Sequence, residues 1–180
     1  MPNRSIYLAK YRGTTNQRAH FAIFIPDIAS DRTGVRKDFK TMSTEGTIIH
    51  VVGEPVMVGF ALEIKRHYEC KDDKDLENLV RLGHIDEANL YDSPSSELVK
   101  DVPRGVIERE AGMVPLPPKG QNIRAPIDGV TTKRCQEWTM EYLDRLVQRG
   151  YLKPSAVEVA QNERDPPNFG IFGAGKATES

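Results

Sequence analysis

A nearly unbroken apolar run spans residues 19–25 and ends at Pro26 and Asp27. Its short length and its β-branched and aromatic side chains favour a strand with both faces covered over a helix. A fold that contains such a strand must place packed structure on each side of a sheet. This run therefore restricts the fold more than any other stretch of the chain.

Three more stretches have the composition of strands. They cover residues 5–11, 46–52 and 56–68, and turn-forming residues separate them. Residues 27–45 are polar and predict an exposed loop. Short turns between successive strands favour an antiparallel meander over a parallel sheet.

Helical patterns occupy the second half of the chain. Apolar residues at helical spacing predict a short helix over residues 72–83 and a longer one over residues 131–149. Pro154 can begin a last short helix that ends near residue 161.

The stretch between these helices, residues 86–130, contains six prolines and predicts a long loop with a helical turn near residues 96–99 or 106–110. The whole pattern predicts an α+β fold, an antiparallel β-sheet of about four to six strands packed against helices. We expect residues 1–161 to form a single domain and residues 162–180 to form a poorly ordered C-terminal tail.

Charge and composition limit the functional classes. The formal net charge over the 180 residues is −1, which gives no support for broad nucleic-acid binding. No apolar run approaches the ~18 residues of a membrane-spanning helix, and the N-terminus lacks the apolar core of a signal peptide. Two cysteines, Cys70 and Cys135, do not make a disulfide framework. We expect a cytoplasmic protein with free thiols and no membrane contact. The composition does not predict its oligomeric state.

Cys135 occupies the first turns of the predicted 131–149 helix. The exposed N–H groups of a helix N-terminus and the neighbouring Arg134 both stabilise a thiolate, the nucleophilic form of cysteine. Burial as an inert helix residue is the alternative, because free cysteines are among the most buried side chains. A nucleophilic cysteine also needs a base, and no histidine lies near Cys135 in the sequence.

Two of the four histidines interrupt apolar strands. His20 lies in the 19–25 run and His50 in residues 46–52, so each polar ring needs a partner. If the two strands are neighbours, a helix N-terminus packed over them would join a thiol, a base and a residue that orients the base. A structural role as hydrogen-bonded core histidines is the alternative. His67 is expected to be solvated.

The order of these motifs resembles the circularly permuted papain-like proteins, namely the lecithin:retinol acyltransferase-like group and the permuted NlpC-type amidohydrolases. Their strand motif His-aromatic-Ala-Leu-Tyr is similar to His-Phe-Ala-Ile-Phe at residues 20–24. Their Asn-Cys-Glu-His-Phe is similar to Arg-Cys-Gln-Glu-Trp at residues 134–138, where Arg134 replaces the asparagine of the acyltransferases. In its general look the chain is also similar to small fungal proteins.

This resemblance covers residues 5–70 and 128–150. It implies a permuted papain-like fold, with Cys135 as the nucleophile, His20 as the base and His50 as the orienting residue. It also makes the 1–161 domain catalytic.

Candidates for substrate binding or for oxyanion stabilisation surround the same motifs. They are Arg134, Tyr11, Gln17 and Trp138. Trp138 also fits the buried face of its helix. No cofactor is predicted, and no metal site is predicted because the histidines and cysteines form no closely spaced ligand pair.

We therefore expect an enzyme, a thiol hydrolase or acyltransferase that acts on an amide, ester or thioester carbonyl of a small molecule or peptide. Attack by Cys135 would form an acyl-thioester. One alternative is a cyclodipeptide synthase that uses the same site on aminoacyl-tRNA, with the basic residues of the 32–40 stretch meeting RNA. The other is a non-catalytic interaction protein that retains the fold.

Overall fold

Within residues 2–35, 38–94 and 102–169, which the computed structural model describes, five strands form one antiparallel sheet that carries four α-helices. The strands are β1 (Asn3–Tyr11), β2 (His20–Pro26), β3 (Glu45–Glu54), β4 (Gly59–Glu69) and β5 (Leu76–Asp86). The helices are α1 (Ile28–Thr33), α2 (Gly105–Gly112), α3 (Cys135–Gln148) and α4 (Ser155–Asn162). The predicted α+β class with an antiparallel sheet is confirmed.

The first four strands form the predicted meander, in which each strand pairs with the next in antiparallel fashion. β5 pairs with the other side of β1, so the order in the sheet is β4-β3-β2-β1-β5. β2 therefore lies at the centre of the sheet. Its residues from Phe21 to Pro26 are buried, as the apolar run predicts.

The helix predicted over residues 72–83 is wrong, because β5 occupies most of this stretch. Its pairing with β1 changes register twice, next to Tyr7 and next to Tyr11. Such irregularities shift which side chains face the core, so the period-2 alternation of a regular strand is lost. The apolar residues then recur in steps of three and imitate a helix: Leu76, Leu79, Leu82 and Ile85.

Two further predictions missed parts of the secondary structure. The polar stretch 27–45 contains α1 and the first residue of β3, and the turn predicted near residues 106–110 belongs to α2. The turn predicted at residues 96–99 lies outside the described residues.

The larger core lies between the sheet and helices α2, α3 and α4. The buried face of α3 contributes Trp138, Tyr142, Leu143 and Leu146, which matches its predicted helical spacing. A smaller core covers the opposite face of the sheet around Phe24. Both faces of β2 are therefore packed, which explains why its sequence is apolar almost throughout.

Candidate active site

A gap between β2 and β3 positions the cysteine. The two strands pair only from Ile23 and Ile49 to Pro26 and Gly46, and the first residues of β2 pair with β1 alone. The backbone N–H of Phe21 thus has no partner in β3 and donates to the sulfur of Cys135. The first residue of α3 consequently sits where the sheet opens.

The histidines lie on the sheet face opposite the α3 core. Side chains alternate along a strand, so His20 shares a face with Phe24, and His50 shares that face with Ile48. The main core contains Phe21 and Ile49 from the other face. The helix therefore does not pack over the histidines as the sequence suggested. The gap in the sheet lets the thiol reach them.

Four side chains form one hydrogen-bonded chain. Cys135 is hydrogen-bonded to His20. His20 Nε2 lies 2.7 Å from His50 Nδ1, and His50 Nε2 lies 2.9 Å from Glu63 Oε1. The structure thus joins Cys135, His20 and His50, the set predicted from the sequence, and adds Glu63 behind them.

Glu63 was not predicted as a site residue. It lies directly opposite His50 in the β3–β4 register, where cross-strand side chains on the same face touch. The polar alternation at the end of β4 shows in the sequence, but the partner of Glu63 depends on the register of the hairpin. A correct alignment of β3 with β4 was the signal that could have found it.

The tautomers follow from these partners. A carboxylate only accepts hydrogen bonds, so His50 Nε2 must carry the proton that faces Glu63. Neutral His50 then presents an unprotonated Nδ1, and His20 must donate to it from Nε2. This leaves Nδ1 of His20 to exchange a proton with Cys135. Glu63 therefore sets the direction of the hydrogen bonds from His50 to His20, and Nδ1 of His20 is left for the thiol.

The pKa values of the pair favour charge separation. Burial opposes a thiolate, but the charge and hydrogen bond of His20 bring the pKa of Cys135 below its ordinary value. Burial alone would depress the pKa of His20, yet the Cys135 thiolate raises it above the ordinary value. Burial and the charge of His20 lower the pKa of His50 to about 4, so His50 stays neutral. Both shifts favour a thiolate–imidazolium pair over a neutral thiol and imidazole.

A cavity of about 640 Å³ opens onto the sulfur. His20, His50 and Cys135 line it together with Arg134, Tyr11 and Gln17, three of the four predicted substrate-binding residues. The fourth does not reach it. Trp138 is 1% exposed and packs against Tyr142 in the main core.

Comparison with known families accounts for most of the chain. Residues 6–153 match a family described as a family of unknown function, DUF6540. The chain belongs to this family. The DUF6540 match includes all four members of the hydrogen-bonded chain and ends just before α4. No curated protein and no solved structure matches the chain.

A separate turn and the N-cap residue Arg134 fix where α3 begins. The helix was predicted to begin near residue 131, but Asp128 accepts hydrogen bonds from the N–H groups of residues 130, 131 and 132 and closes a separate turn there. The N-cap is Arg134, whose backbone N–H donates to the Glu137 carboxylate over 3.0 Å. Cys135 is therefore the first residue of the helix, where its own N–H has no intrahelical acceptor.

Glu137 anchors this helix start to the rest of the fold. It is 4% exposed, and its carboxylate accepts hydrogen bonds from both terminal nitrogens of Arg18 over 3.0 and 3.1 Å. Arg164, beyond α4, donates to the same carboxylate over 2.8 Å. The segment just before His20 and the segment after α4 thus meet at the helix that carries Cys135.

Gln136 and Asp165 complete this anchor. The Gln136 amide donates to the carbonyl oxygen of Ala19 and to Asp165, each over 2.9 Å. Asp165 also accepts from the backbone N–H of Ala19 over 2.7 Å. Residues 162–180 were predicted to form a poorly ordered tail, but Arg164 and Asp165 make specific contacts with the site. Residues 170–180 lie outside the described part of the chain.

Within the described ranges, no group of three or more His, Cys, Asp or Glu side chains is arranged to hold a metal ion. None of the helices in those ranges has both the length and the apolar character needed to cross a membrane.

The depressed pKa of His50 predicts a pH-dependent stability. The folded protein binds this proton only near pH 4, whereas the unfolded chain binds it near pH 6.5. As the pH falls from 6.5 to 4, this histidine therefore binds a proton in the unfolded state but not in the folded state. The free energy of unfolding should fall by up to about 1.4 kcal/mol per pH unit from this group.

Urea unfolding at several pH values between 4 and 6.5 measures this slope. His50→Asn should flatten it, while His84→Asn, at an exposed position, should leave it unchanged. Equal slopes for wild type and His50→Asn would contradict the assignment of a buried neutral His50.

Proposed function

We propose that this protein is a thiol hydrolase or acyltransferase that forms an acyl-thioester on Cys135. The observation that carries the proposal is the directed chain from Cys135 through His20 and His50 to Glu63, open to a cavity at the sulfur. This arrangement contains an activated nucleophile, a base and groups that orient the base. It also agrees with the residue roles that the resemblance to permuted papain-like proteins implies.

In the first step, the Cys135 thiolate attacks the carbonyl carbon of an amide, ester or thioester. The carbonyl oxygen becomes an oxyanion, for which the free N–H of Cys135 at the helix start is the nearest built-in donor. The intermediate collapses with loss of the leaving group, which takes the Nδ1 proton of His20. The acyl group remains on sulfur.

In the second step, His20 Nδ1 accepts a proton from water or an amine as that molecule attacks the acyl-thioester. Collapse expels the thiolate and restores the ion pair with His20. Burial and the charge of His20 keep His50 neutral, and the hydrogen bond to Glu63 keeps it oriented, so neither group needs to change protonation state. Water as acceptor gives hydrolysis, and an amine gives acyl transfer. A free thiolate requires a reducing compartment, so a cytoplasmic location belongs to the proposal.

No observation favours the cyclodipeptide synthase. Asp73 and Asp75 also line the cavity, where a tRNA backbone would meet like charge. A non-catalytic interaction protein would not need a base and two orienting groups behind one thiol.

Acyl-enzyme trapping tests the proposal. Brief incubation with p-nitrophenyl acetate at pH 7 and an acid quench should leave one acetyl group on Cys135, which peptide mass spectrometry locates. Cys70 should stay unmodified, because it is fully buried and burial raises its pKa to about 12. Cys135→Ala serves as the blank. Acetyl groups on lysines alone, equally in wild type and Cys135→Ala, would refute acyl-thioester formation.

A further inference from the structure

Arg134 places a positive charge beside the nucleophile. It precedes Cys135 directly and lines the same cavity, and its side chain is half-buried. Its guanidinium forms no ion pair with any carboxylate in the described ranges of the chain, and its Nε and Nη2 atoms are buried there without a hydrogen-bond partner. A charged donor group of this kind is costly to bury unless an acceptor pairs with it.

The other cations around the site are neutralised. Arg18 and Arg164 both pair with Glu137, at 3.0 and 2.8 Å. Lys65 lies 3.4 Å from Glu63. Arg134 is the exception in a site where each of these cations has a carboxylate. Glu137 and the Cys135 thiolate act on Arg134 through their charge, but they accept no hydrogen bond from its Nε or Nη2. The protein thus places a cation next to the reacting sulfur and leaves these donors for an acceptor that it does not itself supply.

The cavity is also lined by two carboxylates, those of Asp73 and Asp75. Tyr11 donates to Tyr68 over 3.0 Å, and Tyr68 donates to Asp73 over 2.9 Å, so this row of side chains leads away from His20 to a carboxylate. A molecule with several negative charges would be repelled there, whereas a single negative group near Arg134 would not.

We propose that the Cys135 site takes an acyl donor with a carboxylate close to its reacting carbonyl, and that Arg134 pairs with this carboxylate. The inference rests on the proposed function, since it names the substrate class of the same site. A planar guanidinium can hold a carboxylate through two parallel hydrogen bonds, which would fix the carbonyl relative to the sulfur. Arg134, which replaces the asparagine of the acyltransferases that the chain resembles, would then determine specificity.

Two alkylating reagents of nearly equal size test the pairing. Iodoacetate carries a carboxylate next to its reactive carbon, and iodoacetamide carries a neutral amide there. The rate at which each labels Cys135 is measured by peptide mass spectrometry at pH 7. Their ratio within one protein cancels any change in the thiolate fraction, because both reagents react with the same thiolate.

Arg134→Gln should lower the iodoacetate-to-iodoacetamide ratio on the order of tenfold, since it removes the attracting charge. Lys133→Gln makes the same charge change one residue earlier, outside the cavity lining, and should change the ratio less than about twofold. Arg134→Lys should retain most of the preference.

The outcomes separate this inference from the proposed function. An unchanged ratio in Arg134→Gln, with fast iodoacetamide labelling, would overturn carboxylate recognition and leave the nucleophile intact. An equal fall of the ratio in Lys133→Gln would also overturn it, because a general surface field would then explain the effect. Slow labelling of wild type by both reagents would instead refute the activated thiolate.

Discussion

Replacing His20 by asparagine is expected to slow the alkylation of Cys135 by iodoacetamide about a hundredfold at pH 6. In the wild type, the charge and hydrogen bond of His20 lower the pKa of the thiol against the effect of burial. Without His20, the effect of burial is opposed mainly by the hydrogen bond from the Phe21 N–H, so the pKa of Cys135 rises. At a pH below the pKa, the thiolate fraction falls tenfold for each unit by which the pKa rises. The higher nucleophilicity of a more basic thiolate recovers only part of that loss.

A pH series of labelling rates distinguishes this effect from unfolding. The wild-type rate should inflect well below pH 8.5, and the His20→Asn rate should inflect above it. Near pH 10 the two proteins should label at similar rates. His84→Asn removes an exposed histidine away from the cavity and should retain the wild-type profile. A low inflection that survives in His20→Asn would mean that another group activates Cys135.

Replacing Glu137 by alanine is expected to reduce the free energy of unfolding by about 3 kcal/mol. This carboxylate is 4% exposed and accepts hydrogen bonds from Arg18, Arg164 and the backbone N–H of Arg134. Its removal leaves the guanidinium of Arg18, whose side chain is 9% exposed, buried without its counterion. Such a loss costs far more than the loss of an exposed ion pair.

Glu141→Ala on the same helix is the matched control. The Glu141 side chain is 37% exposed and pairs with Lys133, so its loss should cost less than about 1 kcal/mol. Urea unfolding followed by circular dichroism measures both variants. Equal losses in the two would show that helix propensity, and not the buried ion pairs, governs the effect.

The parts of the site that could be predicted depend on local patterns. β2 is apolar on both faces because both faces are packed, and this property shows in consecutive residues. The helix that carries Cys135 shows in its apolar spacing, although its first residue was misplaced because Asp128 caps a turn of its own. His20 and His50 stood out because a polar ring in an apolar strand requires a partner.

The errors occurred where pairing between distant segments overrides local patterns. Register changes against β1 made the sequence of β5 resemble a helix. The contact between Glu63 and His50 depends on a hairpin register that the alternation of β4 does not specify. The role of Asp165 depends on its contact with Ala19, which lies in a segment far from it in the chain.

Local patterns in the sequence predicted the fold class, the central strand, a cysteine at a helix start and two histidines that need partners. These features follow from burial and spacing within one segment. Three features are visible only in the tertiary structure. β2 and β3 separate at one end, the thiol of Cys135 enters this gap, and Glu63 orients His50 and His20 toward the thiol. The physical reason is that proton direction and pKa depend on distances of about 3 Å between side chains from different elements. Side-chain spacing along one segment does not specify such distances.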